Sequence, residues 1–133
     1  MKRLFADTYF FLAAINARDA DHQAALDHFA REDFHFVTTA WVLCEVAAAL
    51  APRATRTGFV KLHEGLQADG AVTIIPSEAA LFDRGLALYA SRLDKDWSLT
   101  DCISFVVMQD QGLQEALTGD HHFAQAGFSM LLG

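Results

Sequence analysis

Short apolar segments alternate with longer segments of helical periodicity along this sequence, and this alternation limits the fold more than any other feature. The short segments are rich in Val, Ile, Leu and Phe, which is typical of strands covered on both faces. The predicted strands are Arg3–Ala6, Phe34–Val37, Ala71–Ile75, Ala116–Thr118 and Phe128–Leu131. The sequence therefore predicts an α/β protein with a short central parallel sheet and helices on both faces.

The helical segments between these strands are bounded by capping residues, proline or glycine. They are Phe10–Ile15, Asp19–Arg31, a helix capped by Thr38 or Thr39 and closed by Pro52, Arg56–Gln67, Ser77–Leu93, Ser98–Gln111 and a short helix after Asp120. No repeat, low-complexity segment or linker divides the chain. We therefore expect a single domain over residues 1–133.

Composition bears on assembly and location. Hydrophobic residues make up 53% of the 133 residues, more than a small domain easily hides alone, so we expect a homodimer. We expect a cytoplasmic protein, because no apolar run reaches the roughly 20 residues of a membrane span and Asp7 interrupts any secretory signal. Cys44 and Cys102 lack a metal-binding or disulfide pattern, so we expect two reduced thiols in the core.

The net charge of −7 argues against a protein that coats nucleic acid through phosphate neutralisation alone. One segment is nevertheless basic, because Arg53, Arg56 and Lys61 are the only charged residues from Val46 to His63. These cations form either an ordinary solvated helix face or a local phosphate-binding surface.

Several common catalytic motifs are missing from the sequence. It has no Gly-x-x-x-x-Gly-Lys-Ser/Thr, Gly-x-Gly-x-x-Gly or Gly-x-Ser-x-Gly segment, which excludes the usual nucleotide-binding loops and the serine-hydrolase elbow. A His-Glu-x-x-His zinc helix is also missing. His121 and His122 are adjacent, so their side chains diverge on a helix and we expect surface roles for both.

Two aspartates follow predicted strands. Asp7 comes directly after the first strand, and Asp120 comes after Ala116–Thr118. In open parallel sheets, ligands bind beyond the carboxyl ends of the strands. Both aspartates are therefore candidate site residues, and the alternative for each is a helix-capping role.

Two further acids interrupt apolar helices. Glu45 is the only charged residue between Asp33 and Arg53, and the periodicity places it on the stripe of Cys44. Asp101 is the only charge from Trp97 to Gln109. Burying a lone carboxylate is costly, so a cation or a shared site would explain both residues. The structural alternatives are a water-exposed position for Glu45 and a capping box with Ser98 for Asp101.

These four acids would repel one another if they met, since three of them have no Lys or Arg beside them in the sequence. A divalent ion removes the repulsion. Mg²⁺ and Mn²⁺ prefer hard oxygen ligands, and they can activate water and stabilise charge on a phosphodiester. The combination therefore predicts metal-dependent phosphoryl chemistry at Asp7, Glu45, Asp101 and Asp120.

Three segments resemble PIN-domain ribonucleases, specifically the VapC-type toxins of toxin–antitoxin pairs, and the likeness extends over essentially the whole chain. They are Leu4–Thr8, Trp97–Phe105 and Leu117–Phe123 with Ala126–Phe128. The resemblance implies a PIN-like three-layer sandwich, endonucleolytic RNA cleavage with Mg²⁺ or Mn²⁺, a homodimer, and inhibition by a cognate antitoxin protein.

The resemblance also implies roles for individual residues. The family's acidic quartet corresponds to Asp7, Glu45, Asp101 and Asp120, of which the last contributes least. Residues that would orient carboxylates or water are Thr8, Ser98 and Thr100. Independently of the resemblance, the charge pattern makes Arg53, Arg56 and Lys61 candidates for contacts with RNA phosphates, because they follow the helix that carries Glu45.

Three alternatives stay open at this point. A haloacid-dehalogenase-like phosphohydrolase would need Asp-x-Asp after the first strand, where this chain has Tyr9. A degenerate module that only binds RNA or protein is disfavoured because all four acids are present. A housekeeping RNA-processing nuclease would share the site, and a small antitoxin reading frame immediately upstream would separate it from a toxin.

Overall fold

A five-stranded parallel sheet forms the centre of the protein in the computed structural model, which describes residues 1–133. The strands are β1 (Lys2–Ala6), β2 (Phe34–Thr39), β3 (Val72–Ile75), β4 (Glu115–Leu117) and β5 (Ser129–Met130). Their order in the sheet is β3-β2-β1-β4-β5, and every neighbouring pair is parallel. The predicted α/β fold is confirmed.

The helices connect the strands in two directions from β1. They are α1 (Thr8–Ile15), α2 (His22–Phe29), α3 (Ala40–Ala49), α4 (Arg53–Ala68), α5 (Ala79–Ser91), α6 (Leu99–Gln111) and α7 (His122–Gln125). The chain runs outward from β1 to β2 and β3, then crosses back to β4 and β5 on the other side of β1. Because such crossovers are right-handed, this reversal places helices on both faces of the sheet. It also creates a switch point between β1 and β4.

The hydrophobic core joins the sheet to buried residues of several helices, and α6 contributes its most continuously buried segment. All residues of α6 from Asp101 to Met108 are buried, as expected from the uncharged sequence around Asp101. Helix α5 approaches α6 closely at Gly85, where an added Cβ would lie 2.3 Å from the Ile103 side chain. A larger residue at position 85 would therefore separate the two helices.

Several element boundaries differ from the prediction. Helix α2 begins at His22 rather than Asp19, because the Asp19 carboxylate accepts the Asp21 N–H at 2.8 Å within a preceding turn. Helix α4 begins at Arg53, directly after Pro52, whose φ of −54° suits a helix start. Strand β5 is shorter than the predicted Phe128–Leu131.

Cys44 corrects another expectation. Its side chain is exposed, whereas Cys102 is buried, and both thiols are free. The buried residues of α3 are Val42, Leu43 and Val46, so Cys44 points away from the core. No helix in the structure is long and apolar enough to cross a membrane.

Candidate active site

The switch point between β1 and β4 brings Asp7 close to the loop that carries Asp120. Asp7 directly follows β1 and is only 5% exposed. Thr118, the first residue after β4, donates its hydroxyl to Asp7 Oδ2 at 2.9 Å and accepts the Asp120 N–H at 3.0 Å. Thr118 thus connects the residue that follows β1 with the loop that follows β4 through two hydrogen bonds. The sequence analysis did not identify this threonine. Its place directly after a strand, two residues before an aspartate, was the available signal.

The environment of Asp7 disfavours its negative charge. Burial raises the pKa of this carboxyl to about 7, against the opposing effect of hydrogen bonds from the Thr8 N–H and the Thr118 hydroxyl. The carboxylates of Asp101 and Glu45 raise it further. Three predicted site residues therefore lie close enough to repel one another, and no lysine or arginine offsets them.

Glu45 enters the site from α3. Thr39 caps this helix by accepting the Val42 N–H at 3.1 Å, which agrees with the predicted cap. Glu45 is half-buried, and its Oε1 accepts the Thr8 hydroxyl at 2.7 Å. It lies at the margin of the buried face rather than on an apolar stripe with Cys44, because α3 is rotated to bury Val42 and its neighbours. This position leaves its carboxylate facing the strand ends.

Asp101 combines a structural and a candidate chemical role. It forms the predicted capping box, since its amide donates to the Ser98 hydroxyl at 3.0 Å and its Oδ2 accepts the Ser98 N–H at 3.2 Å. The same Oδ2 lies 3.0 Å from Nδ1 of His122. Asp101 is therefore held at the start of α6 and still faces the other acids.

His122 contradicts the expectation of a surface role. Asp120 Oδ1 accepts the His122 N–H at 3.0 Å, and this turn directs the imidazole toward Asp101. The neighbouring His121 is exposed, as expected, with 73% of its side chain accessible. The two rings do not diverge fully, because their centroids are 4.7 Å apart. The helix here begins only at His122, so a regular helical projection does not apply to the pair.

One cleft of about 550 Å³ is lined by all four predicted acids and by His122. Its acidic side chains are Asp7, Glu45, Asp96, Asp101 and Asp120. Asp96 was not singled out from the sequence, because it lies in a polar connection where an acid is ordinary. Thr8 and Ser98 also line the cleft, whereas Thr100 does not. No lysine or arginine contributes to the lining.

The three predicted phosphate-binding cations lie outside this cleft. Arg56 donates through Nε and Nη2 to the carbonyl oxygen of Ala51, at 3.1 and 2.9 Å, in the connection between α3 and α4. It lines a neighbouring apolar groove that shares Ala48 with the acidic cleft. Arg53 and Lys61 are exposed on α4.

The donor set suits a hard divalent cation. Carboxylate oxygens are the preferred ligands of Mg²⁺ and Mn²⁺. Burial, and to a smaller extent the carboxylates of Asp101 and Glu45, raise the pKa of Asp7, and a bound cation would favour its ionised form. At one end of the cleft, ligand atoms of Asp120 and His122 lie within 4.8 Å of each other. His121 comes within the same distance only from the exposed side, outside the cleft lining. The residues present therefore fit a metal centre.

Comparison with known proteins shows the family of this chain. The model of the PIN domain family matches residues 4–129. The chain belongs to the PIN-domain family. It is 30% identical, over 94% of its length and 95% of theirs, to the 23S rRNA-specific endonucleases VapC20 of two Mycobacterium tuberculosis strains, CDC 1551 / Oshkosh and ATCC 25618 / H37Rv.

Several solved structures have the same fold. The crystal structure of M. tuberculosis VapC20, described as a sarcin-ricin loop cleaving toxin, has a TM-score of 0.86 at 28% identity and covers 98% of this chain and 99% of that one. The crystal structure of VapBC2 from Rickettsia felis, which is bound to a promoter DNA fragment, has a TM-score of 0.68 at 14% identity, and 96% of both chains is covered. FitAcB from Neisseria gonorrhoeae has a TM-score of 0.62 at 20% identity, with coverage of 96% and 95%. The last two likenesses concern the fold alone.

Proposed function

We propose that this PIN-domain protein, a single domain over residues 1–133, is a metal-dependent endoribonuclease and the toxin of a VapBC-type pair. The observation that carries the proposal is the cleft at the β1–β4 switch point, where five carboxylates meet without a lysine or arginine. Such a cleft repels an RNA backbone unless cations neutralise it. Similarity to VapC20 over nearly the whole chain supports ribonuclease activity.

Asp7, Glu45, Asp101 and Asp120 would hold Mg²⁺ or Mn²⁺. When bound, such an ion lowers the pKa of water and stabilises the charge that develops on a phosphodiester. The protein's own contribution is to fix the ligands. Thr118 orients Asp7, Thr8 orients Glu45, and the capping box with Ser98 orients Asp101. Asp120 is partly accessible, with 33% of its side chain exposed.

The substrate class to test first is ribosomal RNA, because VapC20 is described as 23S rRNA-specific and as cleaving the sarcin-ricin loop. Arg53 and Lys61 make no salt bridge within the protein and are therefore available for RNA phosphates. Arg56 is partly committed to the carbonyl of Ala51. We therefore place the main electrostatic contribution on the two exposed cations.

Partner chains are part of the proposal. Helix α5 exposes Phe82, Leu86 and Tyr89, with exposed fractions of 40%, 43% and 48%. Their four- and three-residue spacing places them on one side of the helix. An apolar side of this kind is consistent with a covered surface in a homodimer. A cognate antitoxin protein is the second expected partner.

The central experiment compares single substitutions in the cleft with matched exposed controls. Asp7→Asn, Glu45→Gln and Asp101→Asn should each abolish cleavage of 23S rRNA fragments, and Asp120→Asn should have a smaller effect. Glu64→Gln on α4 removes an exposed carboxylate and should leave cleavage unchanged. Full activity of any of the first three variants, with an unchanged circular dichroism spectrum, would contradict the assignment.

A growth experiment separates a toxin from a housekeeping nuclease. Expression of the protein alone should arrest growth, and co-expression with the gene immediately upstream should relieve the arrest. Growth that continues without the neighbouring gene, together with RNA cleavage in vitro, would favour the housekeeping alternative.

A further inference from the structure

His122 is the only nitrogen donor among the side chains that line the acidic cleft. Its backbone N–H donates to Asp120 Oδ1 at 3.0 Å, and its ring Nδ1 lies 3.0 Å from Asp101 Oδ2. The backbone and the ring are therefore each in contact with a different acid of the cleft. Only 21% of the side chain is exposed. The imidazole is therefore positioned on the inner side of the cleft rather than displayed to solvent.

The distances around Nδ1 match those between ligands of one ion. Nδ1 is 3.0 Å from Asp101 Oδ2 and 3.4 Å from Asp120 Oδ1. In octahedral coordination with bonds of about 2.1 Å, adjacent ligand atoms are about 3.0 Å apart. Nδ1 thus lies at ligand-to-ligand distance from carboxylate oxygens in two different parts of the fold, the start of α6 and the loop after β4.

The Nδ1–Oδ2 separation of 3.0 Å shows that this imidazole nitrogen faces the Asp101 carboxylate directly. A histidine binds a metal ion through an unprotonated ring nitrogen, so Nδ1 of His122 would present its lone pair to an ion held between these carboxylates. His121 does not have an equivalent position. Its Nδ1 lies 3.8 Å from Asp120 Oδ1, and its side chain is mostly exposed.

We propose that His122 is a metal ligand that completes the Asp101–Asp120 side of the site and makes the protein prefer Mn²⁺ to Mg²⁺. The inference rests on the proposed metal-dependent function and adds a residue to it. Magnesium binds imidazole poorly and retains water and oxygen ligands, whereas Mn²⁺ and later first-row ions accept nitrogen more readily. One nitrogen among several carboxylates therefore shifts ion selectivity without removing the hard-ligand character of the site.

The test measures metal binding directly, with His121→Asn as the matched control for His122→Asn. Calorimetric titration of the metal-free protein should give a Mn²⁺ affinity that falls about tenfold or more in His122→Asn, since a loss of this size is usual even for residues that only support a metal ligand. The Mg²⁺ affinity should change much less. His121→Asn should bind both ions as the wild type does.

A spectroscopic measurement separates ligation from a purely structural role. Pulsed electron paramagnetic resonance of the Mn²⁺-loaded wild type should show coupling to ¹⁴N, which only a directly bound nitrogen produces at the expected strength. The coupling should persist in His121→Asn and disappear in His122→Asn. The wild-type and His121→Asn spectra test the proposal even if His122→Asn does not fold.

The outcomes distinguish this inference from the proposed function. Mn²⁺ binding without nitrogen coupling, or coupling lost only in His121→Asn, would overturn the role of His122 and leave a carboxylate-based nuclease intact. Equal losses of Mg²⁺ and Mn²⁺ affinity in His122→Asn would overturn the selectivity. A wild-type protein that binds neither ion would overturn both proposals.

Discussion

Replacing Asp7 by asparagine should stabilise the metal-free protein while removing its activity. The wild-type carboxyl is buried and has a pKa of about 7, compared with an ordinary value of 3.8. At a pH between these two pKa values, the folded state therefore retains a proton on Asp7 that the unfolded state has released. The contribution of protonated Asp7 to the free energy of unfolding is complete below the pKa of the unfolded state and is lost as the pH rises through the pKa of the folded state.

The size of the effect follows from the two pKa values. At pH 5 the folded protein still gains from protonated Asp7, and at pH 8 that gain has vanished. Stability falls by about 1.4 kcal/mol for each pH unit over which only the folded state holds the proton. The free energy of unfolding of the wild type should therefore fall by about 2 to 3 kcal/mol from pH 5 to pH 8 through Asp7 alone. An asparagine side chain cannot titrate, and its amide oxygen can still accept the Thr118 hydroxyl, so Asp7→Asn should lack this loss.

Urea unfolding in the presence of a chelator measures the effect at pH 5 and pH 8. The quantity to compare is the change in the free energy of unfolding between the two pH values, because titrations that both proteins share then cancel. Asp83→Asn, an exposed change on α5, should retain the wild-type pH dependence. Added Mn²⁺ should restore the wild type at pH 8 and stabilise Asp7→Asn much less. Identical pH dependence in the wild type and Asp7→Asn would refute the reasoning.

Three further predictions concern the loop, the surface and the assembly. Gly119→Ala should reduce activity and metal affinity, because its Cβ would lie 2.3 Å from the Tyr9 ring. The Tyr9 hydroxyl is hydrogen-bonded to the Asp21 carboxylate, so the loop that carries Asp120 would have to move instead. Unchanged kinetics would contradict this prediction. Arg53→Glu with Lys61→Glu should weaken RNA binding and flatten its salt dependence by about one unit for each lost phosphate contact. An unaltered slope would exclude both contacts. Light scattering should give about twice 14.6 kDa, and Phe82→Glu should produce monomers if α5 forms the interface.

Much of the fold follows from local sequence patterns. Alternating strand and helix segments permit few arrangements other than a parallel sheet, since parallel strands need crossovers. The stretch without other charges around Asp101 predicted a buried α6, and the Ser98–Asp101 spacing offered the capping box that the structure has. Acids placed directly after strands predicted where the acidic cleft lies in the structure, because the carboxyl ends of parallel strands meet at one edge.

Tertiary packing decided what these patterns left open. Helical periodicity shows which residues share a face, but only contact with the sheet determined that α3 buries Val42 and exposes Cys44. Loops and helix starts have no period, so the turn that aims His122 at Asp101 and the contribution of Asp96 were not visible in the sequence. The same holds for Arg56, whose hydrogen bonds to Ala51 depend on how α4 follows α3. Local sequence was sufficient to specify which chemical groups reach the strand ends, while the three-dimensional fold set their orientations, because orientation depends on contacts between segments distant in the chain.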